Sequence, residues 1–196
     1  MIEIALFDLD GVIIAPRKQF LTDRLIADFG VSREDSMAFV KQALVPAMTG
    51  KLDLREVFPE YLHHWGVSKS VDEMFAYWWS AESTINQDVL ETVRRMREQG
   101  TKIYLASDQE KNRGEYLLRE LKLSEETDGA FLSYQLGMQK HDQVFFEEIV
   151  ARLHVQEPRR IVYWDDDQKN VDVASSVGID ARLYTDFDSF LQSLRS

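Results

Sequence analysis

Short apolar runs alternating with helix-like stretches constrain this chain more than any other feature of its sequence. Five runs are rich in branched or aromatic residues and too short for helices, which indicates buried strands. These runs are Ile2 to Phe7, Lys102 to Ala106, Ala130 to Ser133, Arg160 to Trp164 and, more weakly, Ala181 to Tyr184. Apolar residues at helical spacing occupy Asp88 to Gln99, Glu115 to Leu123, Val144 to Leu153 and Asn170 to Val177. This alternation predicts an α/β fold, a Rossmann-like parallel sheet covered by helices on both faces.

One long segment interrupts the alternation. From about Pro16 to Ile85 the chain has helical periodicity and no convincing strand, and Ser32 with Asp35 has the spacing of a helix-capping box. We therefore predict a core of residues 1–15 and 86–196, with residues 16–85 as an all-helical insertion. The aromatic residues of the insertion are predicted to form its own core. They are Phe58, Tyr61, Trp65, Phe75, Tyr77, Trp78 and Trp79. The neighbouring His63 and His64 are predicted to lie on a helix surface.

Charge and cysteine content narrow the classes of function. The 196 residues include 34 acidic and 23 basic side chains, a formal charge of −11, which argues against nucleic acid or an anionic membrane surface as a partner. Cysteine is absent, so disulfides, thiolate zinc sites and a cysteine nucleophile are excluded. The N-terminus has no basic stretch followed by an apolar segment, and no run approaches a membrane span. We expect a cytoplasmic protein, and its oligomeric state stays open.

Polar residues follow the predicted strands at the points where each strand ends. Asp8 and Asp10 follow the first strand on the same side of the chain, because alternate residues of a strand share a face. The other polar positions are Ser107, Asp108, Lys140, Asp165 and Asp166. Each alone has an ordinary explanation, as a helix cap or a solvated side chain. Together they predict a site beyond the carboxyl ends of the strands. The adjacent Asp167 and Asp172 are predicted to serve the start of the next helix only.

Competing motifs fail on spacing. Neither acidic cluster has the alternating acids, central glycine and final glutamate of a calcium loop. No phosphate-binding loop of the G-x-x-x-x-G-K-[ST] type is present, no G-x-S-x-G elbow surrounds Ser107, and His63 and His64 lack a matching third zinc ligand. Calcium sensors, P-loop enzymes, serine hydrolases and zinc enzymes are therefore not indicated.

The order of the motifs resembles a known family. The segment Asp8-Leu9-Asp10-Gly11-Val12 is followed by a strand-end serine, then a lysine, then a strand ending in two aspartates. This order, over nearly the whole chain, resembles the haloacid dehalogenase-like (HAD) superfamily, and the insertion resembles its small α-helical cap. The stretch Leu132 to Lys140 resembles bacterial sugar-phosphate phosphatases of that superfamily.

The resemblance implies a magnesium-dependent phosphatase of a small phosphorylated metabolite, such as a sugar phosphate. Asp8 would be the nucleophile that forms an aspartyl-phosphate, and Asp10 the general acid and then the general base. Asp8, the main-chain carbonyl of Asp10, Asp165 and Asp166 would hold Mg²⁺. Ser107 and Lys140 would bind the phosphoryl oxygens with Asp108 beside them. Four residues near or in the insertion are candidates for substrate contacts by position, namely Arg17, Lys18, Trp78 and Trp79.

Two positions depart from the family pattern and leave alternatives open. Asp108 stands where asparagine is common, and His141 stands where proline commonly follows the lysine. These departures motivate a non-catalytic binding protein on the same frame as an alternative. A phosphomutase or phosphotransferase is a second one, although the segment after Val12 lacks the residues usual in the sugar phosphomutases. Asp10 disfavours dehalogenation, and a receiver-type signalling domain is disfavoured because its lysine would come last.

Overall fold

A computed structural model describes residues 2–194, and these residues form a five-stranded, fully parallel sheet. The strands are β1 (Ile4–Phe7), β2 (Lys102–Ser107), β3 (Gly129–Leu132), β4 (Ile161–Asp165) and β5 (Asp180–Leu183). They are arranged in the order β3-β2-β1-β4-β5, so the first strand of the chain is central. Ile4 lies opposite Lys102 on one side and Ile161 on the other. The predicted parallel α/β fold is confirmed.

Helices enclose this sheet, and the regular elements between β1 and β2 are all helical within the described residues. In chain order they are α1 (Leu21–Phe29), α2 (Arg33–Phe39), a π-helical turn (Val40–Leu44), α3 (Val45–Met48), α4 (Leu54–His64), α5 (Val71–Ala81), α6 (Gln87–Glu98), α7 (Lys111–Arg119), α8 (Leu123–Glu126), α9 (Ser133–Leu136), α10 (Gln143–Arg152), a 3₁₀ turn (Pro158–Arg160), α11 (Gln168–Ser176) and α12 (Phe187–Ser193). Within the described residues, no helix has the length and apolar character that a membrane crossing requires.

The central strand is buried on both faces. Ala5 and Phe7 belong to the apolar cluster that includes α6, α7 and α12, whereas Leu6 belongs to the cluster that includes α10 and α11. This division follows from the two-residue period of a strand, whose successive side chains point to opposite faces. Phe7 stacks on Trp164 of β4, with ring centroids 5.0 Å apart. A continuous apolar strand is what a doubly covered parallel sheet requires.

The predicted elements differ from the observed ones by one or two residues, except for α7. We predicted this helix from Glu115, but it begins at Lys111 because the Glu110 side chain accepts hydrogen bonds from the main-chain N–H groups of Asn112 and Arg113. Glutamate is an uncommon helix cap, so sequence gave little sign of this start. Asp167 does cap α11, as predicted, whereas the prediction for Asp172 is wrong because it lies inside that helix.

The helical insertion has an apolar core of its own. All seven aromatic residues predicted for this core belong to it or pack against it, and Phe39 stacks on Phe58 with centroids 5.2 Å apart. His63 and His64 are exposed on α4, as predicted. The connections into and out of the insertion are paired, since Ala15 N–H donates to Thr84 O at 2.8 Å and Asn86 N–H to Ile13 O at 2.8 Å. The domain boundaries at residues 15 and 86 stay a prediction.

Replacing Phe58 by alanine tests the importance of the insertion core. Phe58 is fully buried, so Phe58→Ala is expected to lower the free energy of unfolding by about 3–5 kcal/mol, through lost burial and a residual cavity. Denaturant titration followed by circular dichroism measures the change. The control is Val144→Ala on α10, where the side chain is 54% exposed and the expected change is within about 0.5 kcal/mol. Equal stability of both variants would contradict a packed insertion core.

Candidate active site

The candidate site lies at the carboxyl edge of the sheet, where β1, β2 and β4 end side by side. Asp8 directly follows β1, and its main-chain N–H donates to Trp164 O of β4 at 2.9 Å, which continues the strand pairing by one residue. Ser107 ends β2 and Asp165 ends β4. Parallel strands therefore bring these three residues to one edge, although Asp8 is about a hundred positions from Ser107 and Ser107 is 58 from Asp165 along the chain.

Lys140 joins two buried carboxylates at this edge. Its Nζ lies 2.7 Å from Asp8 Oδ2 and 2.7 Å from Asp165 Oδ2. The Asp165 carboxylate also accepts hydrogen bonds from the Tyr163 hydroxyl, from the Asp167 main-chain N–H at 2.8 Å and from Asn170 Nδ2 at 3.2 Å. Asp8 Oδ1 accepts one from Leu9 N–H at 2.7 Å. In every one of these bonds the carboxylate oxygen is the acceptor.

Burial and neighbouring charges both act on the pKa values of Asp8 and Lys140, and the two pKa values are raised for different reasons. Burial raises the pKa of Asp8 to about 7, with the Asp165 carboxylate adding to the rise and Lys140 opposing it. Burial would lower the pKa of Lys140, but the Asp8 and Asp165 carboxylates outweigh it and hold that pKa above its ordinary value. One ammonium group thus compensates the buried carboxylates incompletely.

Asp166 completes a group of three acids that fits a divalent cation. Asp8, Asp165 and Asp166 each offer an oxygen, and these oxygens lie within 4.8 Å of one another. Lys140 contacts Asp8 and Asp165 and brings one positive charge to a group of three acids, so the group is short of positive charge. Carboxylate oxygens are the ligands that Mg²⁺ prefers. The residues therefore fit a bound magnesium ion in both charge and ligand type.

Gly11 makes room for Asp166. The chain turns back after Asp10, with Gly11 at φ +88° and its N–H donating to Ile14 O at 2.8 Å. A Cβ atom at position 11 would lie 2.0 Å from Asp166 Oδ2. Glycine is therefore required twice at this position, for the left-handed backbone and for the close approach of the carboxylate.

Asp10 lies in a second, separate cluster of charges. Arg113 binds it in bidentate fashion, with NH1 to Oδ2 at 2.8 Å and NH2 to Oδ1 at 2.6 Å. Arg17 NH2 lies 2.7 Å from Oδ2, and Gln109 Nε2 donates to the same oxygen at 2.9 Å. Burial would raise the pKa of Asp10, but Arg113 first and Arg17 second outweigh it and lower that pKa to about 2. Asp10 is therefore a firmly ionised carboxylate in this arrangement.

Arg113 and Gln109 were not anticipated from the sequence. Both are buried, and Gln109 Oε1 accepts a hydrogen bond from Arg113 NH1 at 2.6 Å. One signal was present, because Arg113 lies four residues before the buried Leu117 and thus on the apolar face of α7. An arginine on such a face needs a buried anionic partner. The sequence alone did not show that this partner is Asp10, 103 positions earlier.

The remaining predicted residues share one cavity with Asp8 and Asp10. This acidic cavity has a volume of about 470 Å³, and Ser107, Asp108, Lys140 and Asp166 also line it. Asp165 lies behind it, with 0% of its surface exposed. Burial raises the pKa of Asp108, and its Oδ1 accepts a hydrogen bond from the Lys140 main-chain N–H at 3.0 Å. Asp108 thus helps to hold the loop that carries Lys140 in place. The next residue in this loop is His141, where proline is common in the family.

The four residues that were predicted by position to contact the substrate lie in different places. Arg17 contacts Asp10, and Trp78 lines a cavity beside it. Lys18 lines a different cavity, and Trp79 packs on Tyr116 of α7 with ring centroids 4.8 Å apart. Trp79 therefore belongs to the packing between the insertion and the core.

Comparison with known proteins agrees with this geometry. A family model described as a haloacid dehalogenase-like hydrolase matches residues 2–178. The chain belongs to the haloacid dehalogenase-like hydrolase family. The receiver-type alternative is therefore wrong, and the predicted HAD membership is confirmed. The narrower resemblance to sugar-phosphate phosphatases stays a prediction.

Solved structures share the fold of this HAD hydrolase at low sequence identity. A HAD family enzyme from Bacteroides thetaiotaomicron, in complex with magnesium and inorganic phosphate, is 20% identical with a TM-score of 0.82 over 97% of this chain and 99% of that one. A HAD-like family hydrolase from Porphyromonas gingivalis is 19% identical with a TM-score of 0.83 over 100% and 99%. A dehalogenase is 16% identical with a TM-score of 0.67 over 98% and 96%. Because the fold accommodates different reactions, the site residues must decide the chemistry.

Replacing Lys140 by methionine tests the charge balance of the site. Lys140→Met leaves Asp8 and Asp165 without their shared partner, and we expect the metal-free protein to lose about 3–5 kcal/mol of unfolding free energy. Added Mg²⁺ is expected to restore part of the loss, because a cation bound to the folded protein stabilises it. Thermal unfolding with and without Mg²⁺ measures both effects. The control is Lys51→Met at an exposed position. A loss that Mg²⁺ leaves unchanged would contradict a cation site at these carboxylates.

Proposed function

We propose that this hydrolase is a Mg²⁺-dependent phosphatase that acts on a small phosphomonoester through an aspartyl-phosphate on Asp8. The observation that carries the proposal is the placement of two differently compensated carboxylates, Asp8 and Asp10, on one cavity with Lys140 and Asp166. Phosphomonoester hydrolysis needs a nucleophile, a proton for the leaving oxygen and compensation for concentrated negative charge. The cavity contains a candidate for each.

In the first step, an Asp8 carboxylate oxygen attacks phosphorus while the bond from phosphorus to the leaving oxygen breaks. Lys140 contacts Asp8 Oδ2 and holds the carboxylate in place. The Lys140 ammonium and the Ser107 hydroxyl would bind the phosphoryl oxygens. In the second step, water attacks phosphorus, the Asp8–phosphorus bond breaks, and inorganic phosphate leaves. Bound Mg²⁺, held by Asp8, Asp165, Asp166 and the Asp10 main-chain carbonyl, would supply the positive charge that lets a phosphate dianion approach carboxylates.

Asp10 would transfer the proton in both steps, first to the leaving oxygen and then from the attacking water. With two arginine partners and a pKa of about 2, Asp10 cannot donate a proton near neutral pH. The proposed role therefore requires substrate binding to separate Asp10 from Arg17 or Arg113. Arg17 is the partner with freedom to move, because its side chain is 27% exposed whereas that of Arg113 is 4% exposed.

Two further observations support the phosphatase over its alternatives. Asp10 supplies a group for leaving-oxygen protonation, which an ester to phosphorus needs and a carbon–halogen bond does not. The Bacteroides thetaiotaomicron enzyme of the same fold was crystallised with magnesium and inorganic phosphate. A sugar phosphate as the substrate rests on the resemblance of Leu132 to Lys140 alone.

Phosphate release with and without metal tests the proposed reaction. The wild-type protein is expected to hydrolyse para-nitrophenyl phosphate and members of a metabolite panel with Mg²⁺, and to lose this activity in a chelator. Asp8→Asn is expected to retain less than about one-thousandth of the rate, because the amide is not a nucleophile. The matched control is Asp188→Asn, an exposed acid in the first turn of α12, which is expected to keep wild-type activity.

Asp10→Asn tests the covalent intermediate. The nitrophenolate needs no proton to leave, so the first step is expected to proceed in this variant while the second step, which needs the base, is slowed about 10²–10⁴-fold. Acid quenching after reaction with radiolabelled para-nitrophenyl phosphate is expected to trap a label on the protein that hydroxylamine releases.

Full activity of Asp8→Asn, or activity without metal, would overturn the mechanism. Transfer of the label to an added sugar instead of water would favour a phosphotransferase, and binding without turnover would favour the non-catalytic alternative.

A further inference from the structure

A second cavity adjoins the acidic cavity and is different in character. We name it the apolar cavity; it has a volume of about 330 Å³ and lies between helices of the insertion and the start of α7. Asp10, Arg17, Phe20, Met48 and Asp108 line both cavities, so the two meet along these five residues. This volume is at the lower end of the range for small-ligand sites. A molecule whose phosphate lies at Asp8 can therefore extend past Asp10 into the apolar cavity.

The insertion gives this cavity a wall of apolar side chains. Phe20 and Met37 are 60% and 54% exposed, which leaves large apolar surface in contact with water. Leu44, Met48 and Trp78 continue the same wall. Exposed apolar surface that lines a concave site gains free energy when an apolar group covers it.

Most polar groups of the opposite wall are occupied by one another. Three polar atoms of the lining residues have no partner, namely Trp78 Nε1, Glu82 Oε1 and Arg113 Nε, but they are buried beneath the cavity surface. Arg113 binds Asp10, the Gln109 side chain and the Glu82 main-chain carbonyl at 2.6–2.8 Å. Gln109 Nε2 donates to Asp10 and Ser107, and the Glu110 carboxylate caps α7. A polyhydroxylated body would thus meet an apolar wall on one side and polar groups already hydrogen-bonded on the other. Its hydroxyl groups would lose their water and find few replacement partners.

The charges of the cavity exclude a second anionic group on the ligand. Four carboxylates line it, namely Asp10, Glu82, Asp108 and Glu110, against the two guanidinium groups of Arg17 and Arg113. In this arrangement both guanidinium groups are engaged, Arg113 with Asp10 and Arg17 with Asp10 and, at 3.5 Å, with Glu82. Arg17, which substrate would release from Asp10, also lines the acidic cavity that would hold the first phosphate. A second phosphate or carboxylate in this cavity would face an excess of negative charge.

We propose that the apolar cavity receives the leaving group of the substrate, and that this group is an uncharged, predominantly apolar body bearing a single phosphate. This inference rests on the proposed phosphatase function and narrows its substrate to apolar monophosphates rather than sugar phosphates or nucleotides. The position of Asp10 at the junction of the two cavities is consistent with it. The bond to be broken would lie beside Asp10, with the phosphate on one side and the apolar body on the other.

Binding of inert phosphonates tests the cavity independently of turnover. Methyl-, butyl- and hexylphosphonate share one head group and differ only in apolar length. With Mg²⁺ present, calorimetry is expected to give an affinity that rises about two- to fourfold for each added methylene until the cavity is filled. Dihydroxypropylphosphonate, which is similar in size to the butyl compound, is expected to bind at least about tenfold more weakly than that compound. A flat chain-length series, or equal affinity for the dihydroxylated compound, would overturn the proposal.

A pair of variants assigns the effect to this wall. Met37→Gln retains the length of an exposed side chain and adds a polar amide. It is expected to weaken the binding of hexylphosphonate at least about threefold relative to that of methylphosphonate, which flattens the chain-length dependence. Val45→Gln is the control, because Val45 is 43% exposed on the neighbouring helix α3 and does not line the cavity. Val45→Gln is expected to preserve the wild-type series. The same flattening in both variants, or in neither, would overturn the assignment to this wall.

Turnover separates failure of this inference from failure of the proposed function. Hexyl phosphate is expected to be hydrolysed with a kcat/KM at least about tenfold above that of glycerol phosphate or a hexose phosphate. If phosphate is released but kcat/KM is highest for the hexose phosphate, the apolar cavity is not the leaving-group site and the phosphatase proposal stands. If phosphonate affinity follows chain length but no ester is hydrolysed, the cavity binds apolar monophosphates and the phosphatase proposal fails.

Discussion

The contact of one ammonium group with two buried carboxylates is the interaction on which the site depends. Lys140 lies 2.7 Å from both Asp8 and Asp165, at the carboxyl edge of the two strands that carry these acids. Buried carboxylates without a partner would destabilise the sheet edge, and repulsion would spread them apart. Lys140 thus keeps the acids close enough to share a cation while it leaves the cluster short of positive charge. This shortage of positive charge gives the metal-free site affinity for a divalent ion.

The pKa values of two neighbouring carboxylates, Asp8 and Asp10, are shifted in opposite directions by their surroundings. Burial raises the pKa of Asp8 to about 7, whereas Arg113 and Arg17 lower that of Asp10 to about 2. Arg113 belongs to the core, and Arg17 lies at the beginning of the insertion and also reaches Glu82 at its end. Arg17 therefore connects Asp10 to both ends of the insertion.

Sequence reasoning succeeded where one local pattern determines the outcome. The apolar runs predicted the parallel sheet. The polar residues at the strand ends, Asp8, Ser107 and Asp165, were predicted to lie together because all parallel strands end at one edge. It failed where the outcome depends on a partner distant in the chain. The role of Arg113 depends on Asp10, and the apolar cavity is assembled from surfaces of the insertion and α7 that no single segment contains. The cap of α7 was missed for a local reason, since Glu110 occupies a position where other residues are more usual.

The central position of β1 has a consequence for how the protein is made. Ile4 pairs with Lys102 and Ile161, so roughly a hundred residues are synthesised between β1 and its first sheet partner, which takes on the order of ten seconds. The helical insertion, whose core is formed from contacts within residues 21–79, can collapse during this time. The candidate site needs Lys140 and Asp165, so it can assemble only after β4 has been synthesised. We expect nascent chains truncated before β4 to contain a packed helical insertion beside an unpaired, aggregation-prone strand, a demand on chaperones that comes directly from the sheet order.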